Sequence, residues 1–181
     1  NGDLTFSNLS AQWGITEPTF SNGAAYADLD NDGDLDYVVN NINDPASVFR
    51  NNLNENKKEE NNYLRLLLKD GTTDAQALGS FIEIKYGNNK KQVHEYTPYR
   101  GYLSTMEFFI HFGLGDDTLV EEIKIVWPDS KEQTLRNVKV NQVITITKET
   151  NLPEKNNTEG EKNYLFTNST GATGIQFLHT E

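Results

Sequence analysis

With 181 residues the chain is long enough for one or two domains with a real core, and 27 acidic residues against 16 basic ones leave a net charge of −11. That balance argues against nucleic acid, whose phosphates need a basic face, and against docking on anionic lipid. The chain has no cysteine, so it holds neither a disulfide framework nor a thiolate metal site, and no stretch approaches the ~20 apolar residues that span a bilayer.

In chain order, the first predicted strand is Gly23-Ala24-Ala25-Tyr26-Ala27 and the second begins at Tyr37-Val38-Val39. Between them, Asp28 to Asp36 reads Asp-Leu-Asp-Asn-Asp-Gly-Asp-Leu-Asp, with carboxylates at Asp28, Asp30, Asp32, Asp34 and Asp36. Alternating carboxylates repel one another in a compact loop, and a hard dication removes that repulsion. Calcium accepts oxygen ligands in irregular geometry, so a short acidic loop can wrap it. With Asp28 as position one, the carboxylates fall at positions one, three, five, seven and nine. Gly33 then falls at position six, where a sharp turn is needed. Position seven, Asp34, offers its backbone carbonyl, so its side chain is expected to face solvent. An EF-hand would need a bidentate Glu at position twelve, where Val39 stands, and helices on both flanks. The spacing therefore predicts a β-hairpin loop holding Ca2+ through the five aspartates. An ion-free acidic turn is the alternative.

The run Asn22 to Asp36 resembles an FG-GAP/VCBS-type repeat, one blade of a β-propeller. The resemblance extends back to Phe6-Ser7-Asn8 and Trp13-Gly14-Ile15, and forward to Val48-Phe49-Arg50-Asn51-Asn52. It implies calcium held between two strands of a blade, and an extracellular, cell-surface or periplasmic setting. Phe6, Asn8, Gly14 and Ile15 align without a gap on Phe166, Asn168, Gly174 and Ile175. A repeat that opens at both ends reads as an array cut twice, and a lone blade cannot bury both faces. Both terminal segments are thus expected to pack poorly, or to pair with each other or with the middle of the chain. The start at Asn1 fits an excerpt of a longer precursor. Polar runs at 54–62 and 149–162 read as linkers. They divide the chain into a repeat fragment at 1–53, a β domain at 63–148 and the start of a further repeat at 163–181.

In the middle segment alternation is clear. Leu64, Leu66 and Leu68 share a face; so do Ile82, Ile84 and Tyr86; so do Ile123, Ile125 and Trp127; Ile144 and Ile146 alternate with Val143 and Thr145. Phe108, Ile110 and Phe112 oppose Phe109 and His111. Turn signals separate these runs, at Asp70-Gly71, Gly87-Asn88-Asn89, Gly113 to Asp117 and Pro128-Asp129-Ser130. The fold class that follows is all-β, an antiparallel β-sandwich flanked by partial propeller-blade segments. Over about Tyr63 to Thr147 the chain is similar to the ASPIC/UnbV domain. The similarity is carried by Ala77-Leu78-Gly79-Ser80, Gly101-Tyr102-Leu103-Ser104-Thr105, Phe112-Gly113-Leu114-Gly115, Val126-Trp127-Pro128 and Leu135-Arg136-Asn137-Val138. That domain commonly follows FG-GAP repeats in secreted and surface proteins. Gly usually follows its Trp-Pro-polar turn, where Ser130 stands here, and Ser80 replaces a usual Ala.

No catalytic residues emerge. His94, His111 and His179 lack the paired spacing of a zinc site; His111 reads as structural and His94 as exposed. Ser80 and Ser104 lie near glycines without a base in fixed register. Glu121 and Glu122 are adjacent on a strand and are expected to point apart. Gly113-Leu114-Gly115 lacks the residues of a phosphate loop and reads as a turn. One surface remains: Tyr96, Tyr99, Arg100 and Tyr102 place three tyrosines and an arginine in a loop-like stretch suited to sugar rings or protein hot spots. The expected function is a non-catalytic, calcium-binding extracellular or surface module for protein interaction or adhesion. The alternative is a carbohydrate-binding accessory module of a glycan-handling system. Partners would be a protein or glycan at a cell surface and the rest of the parent propeller, with no nucleic acid and no membrane insertion in this segment.

Overall fold

A computed structural model describes residues 5–57, 61–71 and 77–154. Three strands, β1 (Ser21–Ala27), β2 (Asp36–Asn41) and β3 (Ser47–Phe49), form an antiparallel meander, followed by a single helical turn, α1 (Leu53–Lys57). Seven strands follow: β4 (Asn62–Lys69), β5 (Phe81–Tyr86), β6 (Lys90–Glu95), β7 (Ile110–Gly115), β8 (Leu119–Val126), β9 (Glu132–Lys139) and β10 (Gln142–Thr147). They make two sheets, ordered β10-β4-β7 and β6-β5-β8-β9. All their pairings are antiparallel except β10 with β4, which run parallel from Gln142↔Leu64 to Thr147↔Lys69.

The inner faces of these two sheets share one core. Leu64, Leu66 and Leu68 meet Ile82, Ile84, Ile123, Ile125 and Phe112, all fully buried, as alternation predicts for half-buried strands. Each such side chain contributes about 1.5–3 kcal/mol of transfer free energy. This is the sandwich expected from the sequence.

Three local expectations need correction. Gly113-Leu114-Gly115 is not a turn; it continues β7 with Leu114 buried, and the turn falls at the following aspartates. Glu121 and Glu122 do not alternate. Tyr86 pairs with Val120 and Lys85 with Glu122, so Glu121 is the extra residue of a bulge, which brings Val120 and Ile123 both inward. His94 is half-buried rather than exposed, its ring edge-on to Phe112 at 5.1 Å between centroids. The inward parity of β6 runs on through Gln92 and His94 to Tyr96.

Phe6 is 98% exposed and Trp13 72%, on a turn closed by Trp13 N–H to the Leu9 carbonyl at 3.0 Å. The expected second repeat at 163–181, with Phe166, Asn168, Gly174, Ile175 and His179, lies outside the described residues. Of the stretches read as linkers, Asn54 is buried in α1 and Asn62 is buried in β4, while the Pro153 carbonyl accepts the Glu132 N–H at 2.9 Å. Among the described residues no helix is long and apolar enough to cross a membrane.

Candidate metal centre

Strands β1 and β2 pair up to Ala27↔Asp36, so residues 28–35 form the tip of a hairpin. Its bend uses Asn31 at φ 61° and Gly33 at φ 96°. Asparagine tolerates that left-handed backbone and glycine adopts it freely. Gly33 has a second reason to be glycine: a Cβ there would overlap the ring of Tyr63 on β4. The loop therefore lies directly against the outer face of the sandwich.

Asp28, Asp30 and Asp32 each bring a carboxylate oxygen within 4.8 Å of those of the other two. Oxygens on opposite sides of a calcium ion at about 2.4 Å are about 4.8 Å apart, so this spread fits a single hard dication. One oxygen of each group is tethered. Asp28 Oδ2 accepts from Arg65 Nη1 at 2.6 Å, Asp30 Oδ2 from Arg50 Nε at 2.7 Å, and Asp32 Oδ1 from the Asp34 N–H at 3.0 Å. What remains is telling: Asp28 Oδ1, Asp32 Oδ2 and Asp34 Oδ1 are buried without a hydrogen-bond partner. Buried charged oxygens left bare are costly unless something compensates them, and an oxygen-loving cation does.

Asp34 and Asp36 stand outside the three-carboxylate group. Asp34 does not face solvent, as position seven was expected to; it is 5% exposed, because its Oδ2 accepts the Asn54 N–H at 3.0 Å. Its pKa is raised, first by burial, then by the charges of Asp32, Asp36 and Asp30, with the Asn54 N–H opposing. Asp36 organises the loop: its Oδ2 accepts the Leu29 N–H at 2.9 Å and its Oδ1 the Asn51 N–H at 2.8 Å. Both of its oxygens are thus already in use.

Four residues of this site carried no assigned role in the sequence reading. Arg50 bridges Asp30 and Glu55, the latter at 2.6 Å. Asn51 and Asn54 strap the loop from behind, the Asn54 amide donating to the Asp32 carbonyl at 3.1 Å. Arg65 is the deepest, 4% exposed on the outer face of β4. Its Nη2 donates to both oxygens of Glu107 at 2.7 Å, and its guanidinium lies 4.7 Å from the centroid of Phe109. A lone arginine inside Leu64-Arg65-Leu66-Leu67-Leu68 was the available signal.

The tyrosine surface is split. Tyr96 is 1% exposed, and its hydroxyl accepts the Leu68 N–H at 3.2 Å; it belongs to the core because it keeps the inward parity of β6. Tyr99 and Tyr102 are 68% and 71% exposed. Arg100 turns back on its own loop, donating to the Thr97 and Tyr99 carbonyls at 3.0 and 2.8 Å. Of the serines, Ser80 is buried and donates to the Ala77 carbonyl, while Ser104 Oγ accepts the Ala24 N–H of β1 at 3.2 Å. Glu122 is held by Lys85 and Arg136, each at 2.6 Å. His111 stacks on Tyr63 at 5.8 Å and is pushed down to about 4 by burial and by Arg65 and His94.

Comparison with known proteins bears on most of the chain. Cartilage acidic protein 1 of Homo sapiens is 30% identical over 152 residues, which cover 81% of this chain and 22% of that protein. The Mus musculus protein of the same name is 27% identical over 151 residues, 81% and 22%. That of Xenopus tropicalis is 29% identical over 129 residues, 68% and 19%. The chain thus spans about a fifth of the length of the curated relatives it matches. Strand β4 precedes the family match and yet sits at the centre of its sheet, so the folding unit starts earlier than the sequence family does. Residues 71–153 match the family described as ASPIC and UnbV.

Proposed function

We propose that this chain is a non-catalytic, calcium-binding extracellular or surface module for protein interaction or adhesion. In this reading its first sheet is an FG-GAP/VCBS-type propeller blade. One observation carries the calcium assignment: three tethered carboxylates face one another, and buried aspartate oxygens beside them lack any partner. Asp28, Asp30 and Asp32 would hold the ion, with carbonyls and water completing its shell. When bound, calcium supplies charge neutralisation, so the hairpin keeps one shape. The exposed Phe6, Trp13 and Phe20 supply apolar surface for a neighbouring blade or a protein partner. A calcium titration of thermal stability tests this. The melting temperature should rise with millimolar calcium over a chelated control, and a flat response refutes the assignment.

A second reading has an observation of its own. A cleft of about 290 Å3 between the first sheet and the 102–105 loop is lined by Asn22, Asn40, Tyr102, Ser104 and Thr105, with no acidic or basic side chain. In a chain of net charge −11 such a lining suits a neutral, hydroxyl-rich ligand, with the exposed Tyr102 ring as a stacking platform. This is the carbohydrate-binding alternative. Titration with neutral oligosaccharides should give binding that Tyr102→Ala abolishes; no binding to any of them removes the reading.

A further inference from the structure

The geometry points to Arg65 as a positioning residue that makes the acidic loop a cation-controlled clasp between the first sheet and the sandwich. The inference rests on the calcium reading above and concerns how that site is coupled to the rest of the molecule.

Three observations carry it. Arg65 belongs to β4 of the sandwich, whereas Asp28 belongs to the hairpin of the first sheet, 37 residues away. Their ion pair is closed off from water, with side-chain exposures of 5% and 2%. Breaking a buried pair from one side leaves the other charge uncompensated, so the two groups hold each other strongly. The carboxylate of Asp28 is also shared: one oxygen is committed to Arg65, and the group takes part in the three-carboxylate cluster. Whatever fixes Asp28 at one end therefore fixes it at the other. Finally, Arg65 passes the constraint on. Its other terminal nitrogen grips both oxygens of Glu107, and its plane lies on Phe109, so residues 107–109 are tied to the same guanidinium.

Arg65 does not simply repel a bound dication, because Glu107 balances its charge through a two-oxygen contact. Its net effect is to orient Asp28, as partners one step behind a metal ligand do. The flat fork of arginine holds two carboxylates in one fixed geometry, which lysine's rotatable ammonium does not impose. The contact is reinforced next door by the Gly33 backbone against the Tyr63 ring and by the Ala24 N–H on Ser104. By linkage, an ion that favours one arrangement of Asp28 favours the docked arrangement of both units, and docking raises ion affinity in return.

The experiment is hydrogen exchange of the full chain with calcium chloride or chelator, on wild type, Arg65→Met and Glu107→Gln, with calcium affinity measured by calorimetry. In wild type, calcium should slow exchange both in the 28–36 loop and in the 104–109 segment, which contributes no ligand. In Arg65→Met the loop should still respond, with affinity weakened roughly 10- to 100-fold, but the 104–109 segment should not. Should Arg65→Met fail to fold, Glu107→Gln supplies the test: it keeps the Arg65–Asp28 pair and should lose the response of the 104–109 segment alone. If wild type shows no response in the 28–36 loop, the calcium reading itself falls. If the loop responds and the 104–109 segment does not, or does so equally in the variants, calcium binding stands and the clasp is refuted.

Discussion

Between β4 and β10 the buried side chains are overwhelmingly aliphatic and aromatic, whereas in the first sheet and its hairpin they are Asp28, Asp34, Asp36 and Asn41, with Val39 the one buried apolar residue among those described. The sandwich is held by apolar surface withdrawn from water, an interaction without direction that many residue choices satisfy. The hairpin unit has almost no such reserve. Its buried carboxylates are tolerable only because backbone N–H groups, the Arg65 guanidinium and, in the proposed function, a cation compensate them. One region is therefore stable in itself; the other depends on what binds to it and on what it leans against.

The largest expected effect tests the apolar half. Phe112→Ala should cost about 3–5 kcal/mol in denaturant unfolding, by transfer and cavity terms, and that cost should be the same with and without calcium. A calcium-dependent cost would show that the two regions do not differ as described.

The junction of the two regions comes next. His111 is depressed to about 4 in the folded protein, against 6.5 for an ordinary imidazole. The folded state then binds fewer protons than the unfolded chain, so stability is complete above about 6.5 and declines as pH falls toward 4 and below. The loss approaches up to ~3 kcal/mol. His111→Gln should flatten unfolding free energy measured across that window.

Removing the ion follows. A hundredfold excess of calcium over its dissociation constant should stabilise wild type by ~2.7 kcal/mol, and chelator should reverse this. Asp32→Asn should abolish the calcium-induced rise in melting temperature, while Phe112→Ala should leave its size unchanged.

The smallest effect lies within the sandwich. Ser130 takes φ 64° in the turn between β8 and β9, a left-handed backbone that disfavours a side chain. Ser130→Gly should raise stability by about 1 kcal/mol in either calcium condition.

Much of this was legible in the chain. The alternation of Leu64-Leu66-Leu68, Ile82-Ile84 and Ile123-Ile125 gave the buried faces of the sandwich, and the flanks of Asp28–Asp36 gave a hairpin. The division of labour among the five aspartates was not legible. Identical side chains at equal spacing look equivalent, yet Asp36 is taken up by two backbone N–H groups and Asp34 by a third, from residues 51, 29 and 54. Tyr96 belongs to the core and not to the surface loop, and a polar strand, Gln92-Val93-His94-Glu95, hides its inward parity in the sequence. The bulge at Glu121 leaves no mark in composition at all.

By itself the sequence determined the all-β class, the apolar faces and the presence of an acidic bend, because these follow from period and local backbone preference. The tertiary structure alone decided that β10 lies parallel to β4, and that Arg65 reaches across to Asp28. It also decided that a tyrosine ring presses on Gly33. These are contacts between residues distant in the chain, and only the packing of one unit on another selects them.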